Sequence, residues 1–189
     1  MEFHELMYIA HKEMAILNPS SPEKMLRVGE LLGLQPGNRI IDFGSGTGEA
    51  LVQWAEKFGI SGTGVDISTP LCEGANEKIT KHGLSDRIEL VNKPGSEFIP
   101  ERPGYDVATC IGATFIWDSY RSAIQAMKKV VRPSGKLAIG EVYWLKEGIP
   151  QEYLDKSGAD IAMFEHELLQ ITMEEGYDIE YIVRASLDD

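Results

Sequence analysis

The chain has 189 residues, 43% hydrophobic and 25% charged, enough for one domain with a substantial core and too few for a second of ordinary size. Its formal net charge of -12 argues against nucleic acid, whose recognition rests on Lys and Arg contacts to phosphate. No apolar run approaches the ~20 residues that cross a bilayer, and Met1, Glu2, Phe3, His4 and Glu5 lack the basic and apolar regions of a secretory leader, so a cytoplasmic location without membrane attachment is expected.

Leu6, Ile9, Ala10, Met14 and Leu17 recur at helical spacing and predict an amphipathic helix over 5–17, which Asn18, Pro19 and Ser20 interrupt. A second helix opens with Ser21 as N-cap, Pro22 in its first turn and Glu23 behind it, and stops at Gly33. Residues 1–34 thus read as a helical cap on a single domain whose core is 35–189. From Arg39 onward short apolar runs alternate with helical segments, the pattern of a mostly parallel sheet with helices on both faces. The predicted strands are 39–43, 61–66, 87–92, 105–111, 136–142 and 178–185, and the predicted helices are about 47–58, 69–82, 119–131 and 159–175. Gly59, Gly83 and Gly176 stop three of those helices, and Arg132, Pro133, Ser134 and Gly135 close the fourth. Lys128, Lys129 and Arg132 sit at a helix end, where cations offset the carbonyl end of the dipole. Cys72 and Cys110 have no C-x-x-C partner or His-rich neighbourhood, so both are read as packing residues and no metal site is expected.

The strongest signal is Ile40, Ile41, Asp42, Phe43, Gly44, Ser45, Gly46, Thr47, Gly48, an apolar strand running into a glycine-rich turn that opens a helix. Such a turn lets backbone approach a ligand and aims helix N-terminal amides at an anionic group, so a nucleotide-like cofactor is expected above this strand end. A dinucleotide fingerprint, G-x-G-x-x-G, would need Gly or Ala at position 49; the chain has Glu49, a poor neighbour for a pyrophosphate. Asp66 follows the turn by about 20 residues at the end of the second predicted strand, where a carboxylate can accept ribose hydroxyls. Ser68 or Thr69, just before Pro70, is expected to cap the next helix and leave Asp66 free for that role.

The spacing D-x-G-x-G-x-G resembles that of the class I S-adenosylmethionine-dependent methyltransferases. The resemblance implies a Rossmann-like α/β fold and S-adenosylmethionine as cofactor. Asp42 would serve its ammonium group, the Gly44, Ser45, Gly46, Thr47, Gly48 turn its carboxylate, Asp66 its ribose and Ile67 the adenine face. The family's aspartate after strand three is replaced here by Pro94, which carries no side-chain acceptor, so adenine recognition would pass to Gly95 backbone and to Ser96 or Glu97. Backbone at Cys110 and Ile111, ending strand four, would face the methionine portion. Asp106, at the other end of that strand, reads as structural. The run from Asn18 and Pro19 to Tyr143 and Trp144 is similar to a bacterial subgroup of small-molecule methyltransferases labelled ubiquinone/menaquinone-biosynthesis-like. The family's strand seven, antiparallel beside strand five, has no counterpart before Asp189, and a tail beyond this sequence is expected to supply it.

Methyl transfer from a sulfonium is an in-line displacement, for which the protein mainly supplies alignment and a dry site. The expected partner is a small-molecule methyl acceptor, with Trp117, Tyr143 and Trp144 as its pocket. A general base is required only for a protic acceptor; the candidates are Glu141, Tyr143 and, on the cap, His4 or His11, with His166 behind them. Two other readings remain open at this point: a non-catalytic S-adenosylmethionine-binding protein, and a nicotinamide-dependent oxidoreductase, which Glu49 disfavours. The acceptor and the oligomeric state are not legible in the sequence.

Overall fold

The computed structural model describes residues 20–101, 104–146 and 163–184, together with Met14, Ile16, Leu17 and Gly148. The expected helix over 5–17, with His4 and His11, lies outside these residues but for its last positions, as does the stretch 159–162 of the last predicted helix.

Helix α1 (Pro22–Leu32) starts as expected: the Ser21 hydroxyl accepts from Lys24 N at 3.3 Å, Pro22 occupies the first turn, and Gly33 closes the helix in the left-handed region. It is followed by β1 (Arg39–Phe43), α2 (Glu49–Phe58), β2 (Ser61–Asp66), α3 (Thr69–Lys81), β3 (Ile88–Asn92), β4 (Tyr105–Ile111), α4 (Tyr120–Lys128), β5 (Val131–Gly140) and α5 (Glu165–Glu174). Short 3-10 turns at Gly95–Glu97 and Thr114–Trp117 follow β3 and β4. The five strands form one sheet in the order β3-β2-β1-β4-β5, with every pair parallel.

Strand alternation sorts the core into two layers. Ile40 and Val107 point to one face, where Leu51, Trp54, Ala55 and Ile79 of α2 and α3 cover them. Ile41, Phe43, Ala108 and Cys110 point to the other, against Met127 of α4 and Val130. Trp54 is fully buried and ties the cap helix to the core, since its indole N–H donates to the Met25 carbonyl at 2.7 Å. Gly29 allows this approach: a Cβ there would stand 2.5 Å from the Phe58 ring and 2.9 Å from Trp54.

Two predicted boundaries are corrected. The fifth strand begins at Val131 rather than 136, because Val131 pairs with Tyr105 before the chain detours through Arg132, Pro133, Ser134 and Gly135 and resumes at Lys136 opposite Val107. Asp106 holds this irregularity, accepting from Arg39 N at 2.7 Å and pairing with Arg132 at 2.7 Å, the structural role expected of it. The second correction concerns 178–185: residues 177–184 are not a strand, since a strand is defined by its ladder and no described segment pairs with this one. It is held by Lys136 to Glu180 and Arg184 to Glu165, both at 2.7 Å, and at its ends by Tyr177 N donating to Thr172 O at 3.2 Å and Lys24 Nζ donating to Arg184 O at 3.1 Å. Among the described residues β5 therefore has a sheet neighbour on one side only.

Candidate cofactor site

The site lies where the strand order reverses. Pairing of β1 with β4 runs from Ile40–Val107 to Asp42–Thr109 and stops, while β4 stays paired with β5 to Ile111–Gly140. Beyond Asp42 the β1 chain turns away through Gly44 and bonds back to β2, with Gly44 N donating to Val65 O at 2.8 Å. A crevice between the carboxyl ends of β1 and β4 results, the position at which open α/β sheets bind ligands.

Gly44, Gly46 and Gly48 all have left-handed backbone, with φ of 68°, 52° and 69°. Gly44 is further constrained by contact: a Cβ would stand 2.4 Å from that of Ala113, in the loop after β4. The turn so formed ends at Gly48, the N-cap of α2, and the side chain of Leu17 lies against it, 3.0 Å from where a Gly46 Cβ would be. Ser45 is buried with its hydroxyl toward Gly64 of β2, 2.7 Å from a Cβ built there, so it packs the turn onto the sheet. Thr47 is half-buried at the tip of the turn.

Two carboxylates flank the turn. Asp42 is buried and its Oδ1 accepts from the Thr109 hydroxyl at 2.5 Å; Oδ2 accepts no hydrogen bond from any described residue. Burial pushes the Asp42 carboxyl up to about 7 against the pull of the Thr109 hydroxyl, with Asp66 nearby adding to the rise. Asp66 accepts Gly46 N on Oδ2 and Ser68 N on Oδ1, both at 2.8 Å. The expected helix caps do not act as such: Ser68 makes no side-chain cap bond, and Thr69 donates to Asn92 Oδ1 at 2.7 Å. Asp66 therefore serves the turn and the entry to α3, and keeps on each oxygen one lone pair for a ligand. Asn92 supports the same strand end, donating to Asp66 O at 3.0 Å.

Glu49 makes no approach to the crevice. Its carboxylate pairs with Lys78 of α3 at 2.7 Å and accepts from Gln53 at 2.9 Å. Burial raises its carboxyl, but the Lys78 and Gln53 bonds outweigh this and hold it below the ordinary glutamate range. A depressed native value means stability that is complete above the unfolded pKa of ~4.3 and is lost as pH falls through the folded one. Lys78→Met is expected to cost about 1 kcal/mol near pH 7, discounted for partial exposure, and to shrink that difference toward pH 3; urea unfolding at both values checks it.

The remaining predicted residues divide. Ile67 is 59% exposed beside Asp66, an apolar surface open to a ligand. Gly95 is buried under Ile116 and Phe43, while Ser96 and Glu97 are exposed. Cys110 is buried, and burial with Asp42 nearby pushes its thiol upward, so it is a packing residue; Cys72, likewise buried, is pushed up to about 11. Ile111 ends the ladder to β5. Trp117 stacks edge-on against Phe43 at 4.9 Å and belongs to the core layer. Glu141 accepts from the Thr114 hydroxyl, and Thr114 follows the Ala113 that abuts Gly44. Tyr143 is drawn instead toward Glu165 and Arg184, and Trp144 N donates to Met163 O at 3.0 Å beside Phe164. His166 is exposed and stacks on Phe164. Thr109 and Asn92 were not singled out in the sequence; a hydroxyl in the middle of the apolar run Val107–Ile111 is the signal that marks the first.

A second concavity, lined in part by Arg39, Thr63, Arg87 and Tyr105, opens at the opposite ends of these strands, away from the turn. It offers no helix N-terminal amides, and Arg39 there lies over the Tyr105 ring at 4.7 Å.

A parallel sheet with a glycine turn at its switch point and an acid on each side defines the class I S-adenosylmethionine-dependent methyltransferase fold. The chain belongs to that family: the methyltransferase domain matches residues 40–135, just over half of its length. It is 33% identical over 158 residues to the uncharacterized protein YjhP of Escherichia coli (strain K12), covering 84% of this chain and 63% of that one. The fold superposes with a TM-score of 0.90 on a methyltransferase of Thiobacillus denitrificans in complex with S-adenosylhomocysteine, at 29% identity over 100% of this chain and 77% of the other. A Geobacter sulfurreducens methyltransferase, also with S-adenosylhomocysteine, gives 0.85 at 31% identity over 93% and 71%. The chain thus spans less than two thirds of the curated YjhP sequence. S-adenosylmethionine is the cofactor of this family, and the residues present fit it: the crevice joins an apolar surface, a glycine cradle and a carboxylate oxygen to which no described residue donates. No helix among the described residues is long and apolar enough to cross a membrane.

Proposed function

We propose that this protein transfers the methyl group of S-adenosylmethionine to a small-molecule acceptor. The observation that carries the reading is the pair of acids, Asp42 and Asp66, on either side of a glycine turn at the switch point of the sheet. Bound there, the cofactor would supply a sulfonium methyl group as the electrophile. Asp42 takes the ammonium end through Oδ2, to which no described residue donates, and the first amides of α2 beyond Gly48 point their positive dipole ends at the carboxylate. Asp66 takes the ribose hydroxyls on its remaining lone pairs, and Ile67 covers the adenine face. Gly95, Ser96 and the Cys110–Ile111 backbone border the same ligand.

On the acceptor side, Glu141 is better supported as a base than Tyr143, because Tyr143 is engaged with Glu165 while the Thr114–Glu141 pair is contiguous with the turn. A hydroxyl or carbon acid would give its proton to the Glu141 carboxylate as the new bond to carbon forms. The strongly negative chain favours a small acceptor over a polyanion.

Calorimetry with S-adenosylmethionine and S-adenosylhomocysteine tests the reading, followed by a mass-spectrometric acceptor screen for a gain of one methyl group. Binding with turnover is expected; binding without turnover on any acceptor would favour a non-catalytic cofactor-binding protein, and no binding would refute the reading. Asp66→Ala removes two charge-assisted hydrogen bonds worth about 1.5–3 kcal/mol each before compensation by water, so a loss of affinity of roughly tenfold or more is expected. Unchanged affinity would remove Asp66 from the ribose site.

A further inference from the structure

A carboxylate that is to hold a cation must be both ionised and aimed. Asp42 meets neither condition by its position alone. It lies in the sheet interior with Asp66 at the end of the neighbouring strand and the Cys110 thiol near it across the sheet, and no cationic side chain of the described residues acts on it. Among the described residues, the one group that favours its charged form is the Thr109 hydroxyl. Parallel register places Asp42 and Thr109 directly side by side on the same face of the sheet, at the last pair before the crevice opens. Thr109 is fully buried, and its hydroxyl has a single proton; Asp42 Oδ1 lies at 2.5 Å and the Ile41 carbonyl at 3.4 Å, so the carboxylate receives it.

Building on the cofactor reading above, we propose that Thr109 is a positioning residue for the amino-acid end of the cofactor: it clamps one oxygen of Asp42 so that the other is the one available to the ammonium group. A valine of the same shape would fill the same space in the core and lose the clamp. Burial would then drive Asp42 further toward its neutral form, which offers the ammonium no charge. The loss is therefore greatest where Asp42 is on the verge of protonation and smaller where the solution is alkaline enough to ionise it in either protein.

The test uses the full chain with Thr109→Val and Thr109→Ser and two readouts. In the unliganded protein, carbon-detected NMR of the Asp42 carboxyl should show a titration midpoint that rises in Thr109→Val and returns toward wild type in Thr109→Ser. Calorimetry with S-adenosylhomocysteine should show Thr109→Val weakened roughly tenfold or more at pH 6.5 and only a few-fold at pH 8.5, with Thr109→Ser near wild type at both. Should the valine variant not fold, Thr109→Ala against Thr109→Ser gives the same comparison. An unchanged Asp42 titration, or an affinity loss of equal size at both pH values, would overturn the role of Thr109. Failure of the wild-type protein to bind would instead sink the cofactor reading on which the role depends.

Discussion

Gly44→Ala should both destabilise the protein, by about 3 kcal/mol, and lower its affinity for S-adenosylhomocysteine by roughly a hundredfold. Two costs add at this position. A residue with a Cβ at φ 68° takes on the left-handed penalty of about 1 kcal/mol. That Cβ would also stand 2.4 Å from the Cβ of Ala113, far inside van der Waals contact, and overpacking of this kind costs about 1–3 kcal/mol. Relief requires the turn and the loop after β4 to separate, and these are the two walls of the crevice. A displacement of about 1 Å in a positioning element is enough for a hundredfold effect. Gly33 supplies the control, because its φ is 70° and nothing lies within 4 Å of a Cβ there. Gly33→Ala should therefore cost only the backbone penalty and leave binding unchanged. Urea unfolding and calorimetry on the two variants decide the matter: equal costs would mean that the Gly44–Ala113 contact constrains nothing.

Asp42→Asn is expected to move stability and binding in opposite directions. The wild-type carboxyl, raised by burial to about 7, keeps its proton in the native state over a range where the unfolded chain, with its ordinary value near 4, has lost it. Between those values the native state binds more protons than the unfolded one, so this group's contribution to stability declines as pH rises. The contribution is complete below about pH 4 and gone above about pH 7. Asparagine has no charge to bury, keeps an acceptor for the Thr109 hydroxyl, and shows no such decline. The variant should match wild type at pH 4 and exceed it by about 4 kcal/mol at pH 8, the linkage equivalent of that shift, while its affinity for S-adenosylhomocysteine falls roughly a hundredfold for want of a carboxylate to meet the ammonium. Unfolding midpoints at the two pH values, with calorimetry at pH 8, measure both arms. A variant less stable than wild type at pH 8 would show that Asp42 is not carrying a desolvated charge. The same result bears on design, since a site that holds a buried acid ready for a cation does so at the expense of the unliganded fold.

Much of this molecule was legible in the sequence because the relevant signals are local. Strands 39–43, 61–66 and 105–111 coincide with their predicted bounds, since each is an apolar run bracketed by turn residues, and α1 has the expected Ser21 cap and Gly33 stop. The glycine turn was readable for the same reason: backbone that must enter the left-handed region, and in Gly44 must touch another chain segment, excludes other residues one position at a time. That logic carried a nucleotide-like ligand above the strand end, and the family resemblance of the motif carried S-adenosylmethionine. What depends on pairing across the chain was not readable. Nothing local distinguishes 178–184 from a strand, because the apolar run is there and what it lacks is a partner among the described residues. Register likewise decided that Thr109 stands beside Asp42, that Lys78 takes up Glu49, and that Tyr143 turns to Glu165 while Glu141 meets Thr114. Sequence alone determined which residues can approach a ligand closely; the packing of distant segments determined which of their charges are still free to meet it.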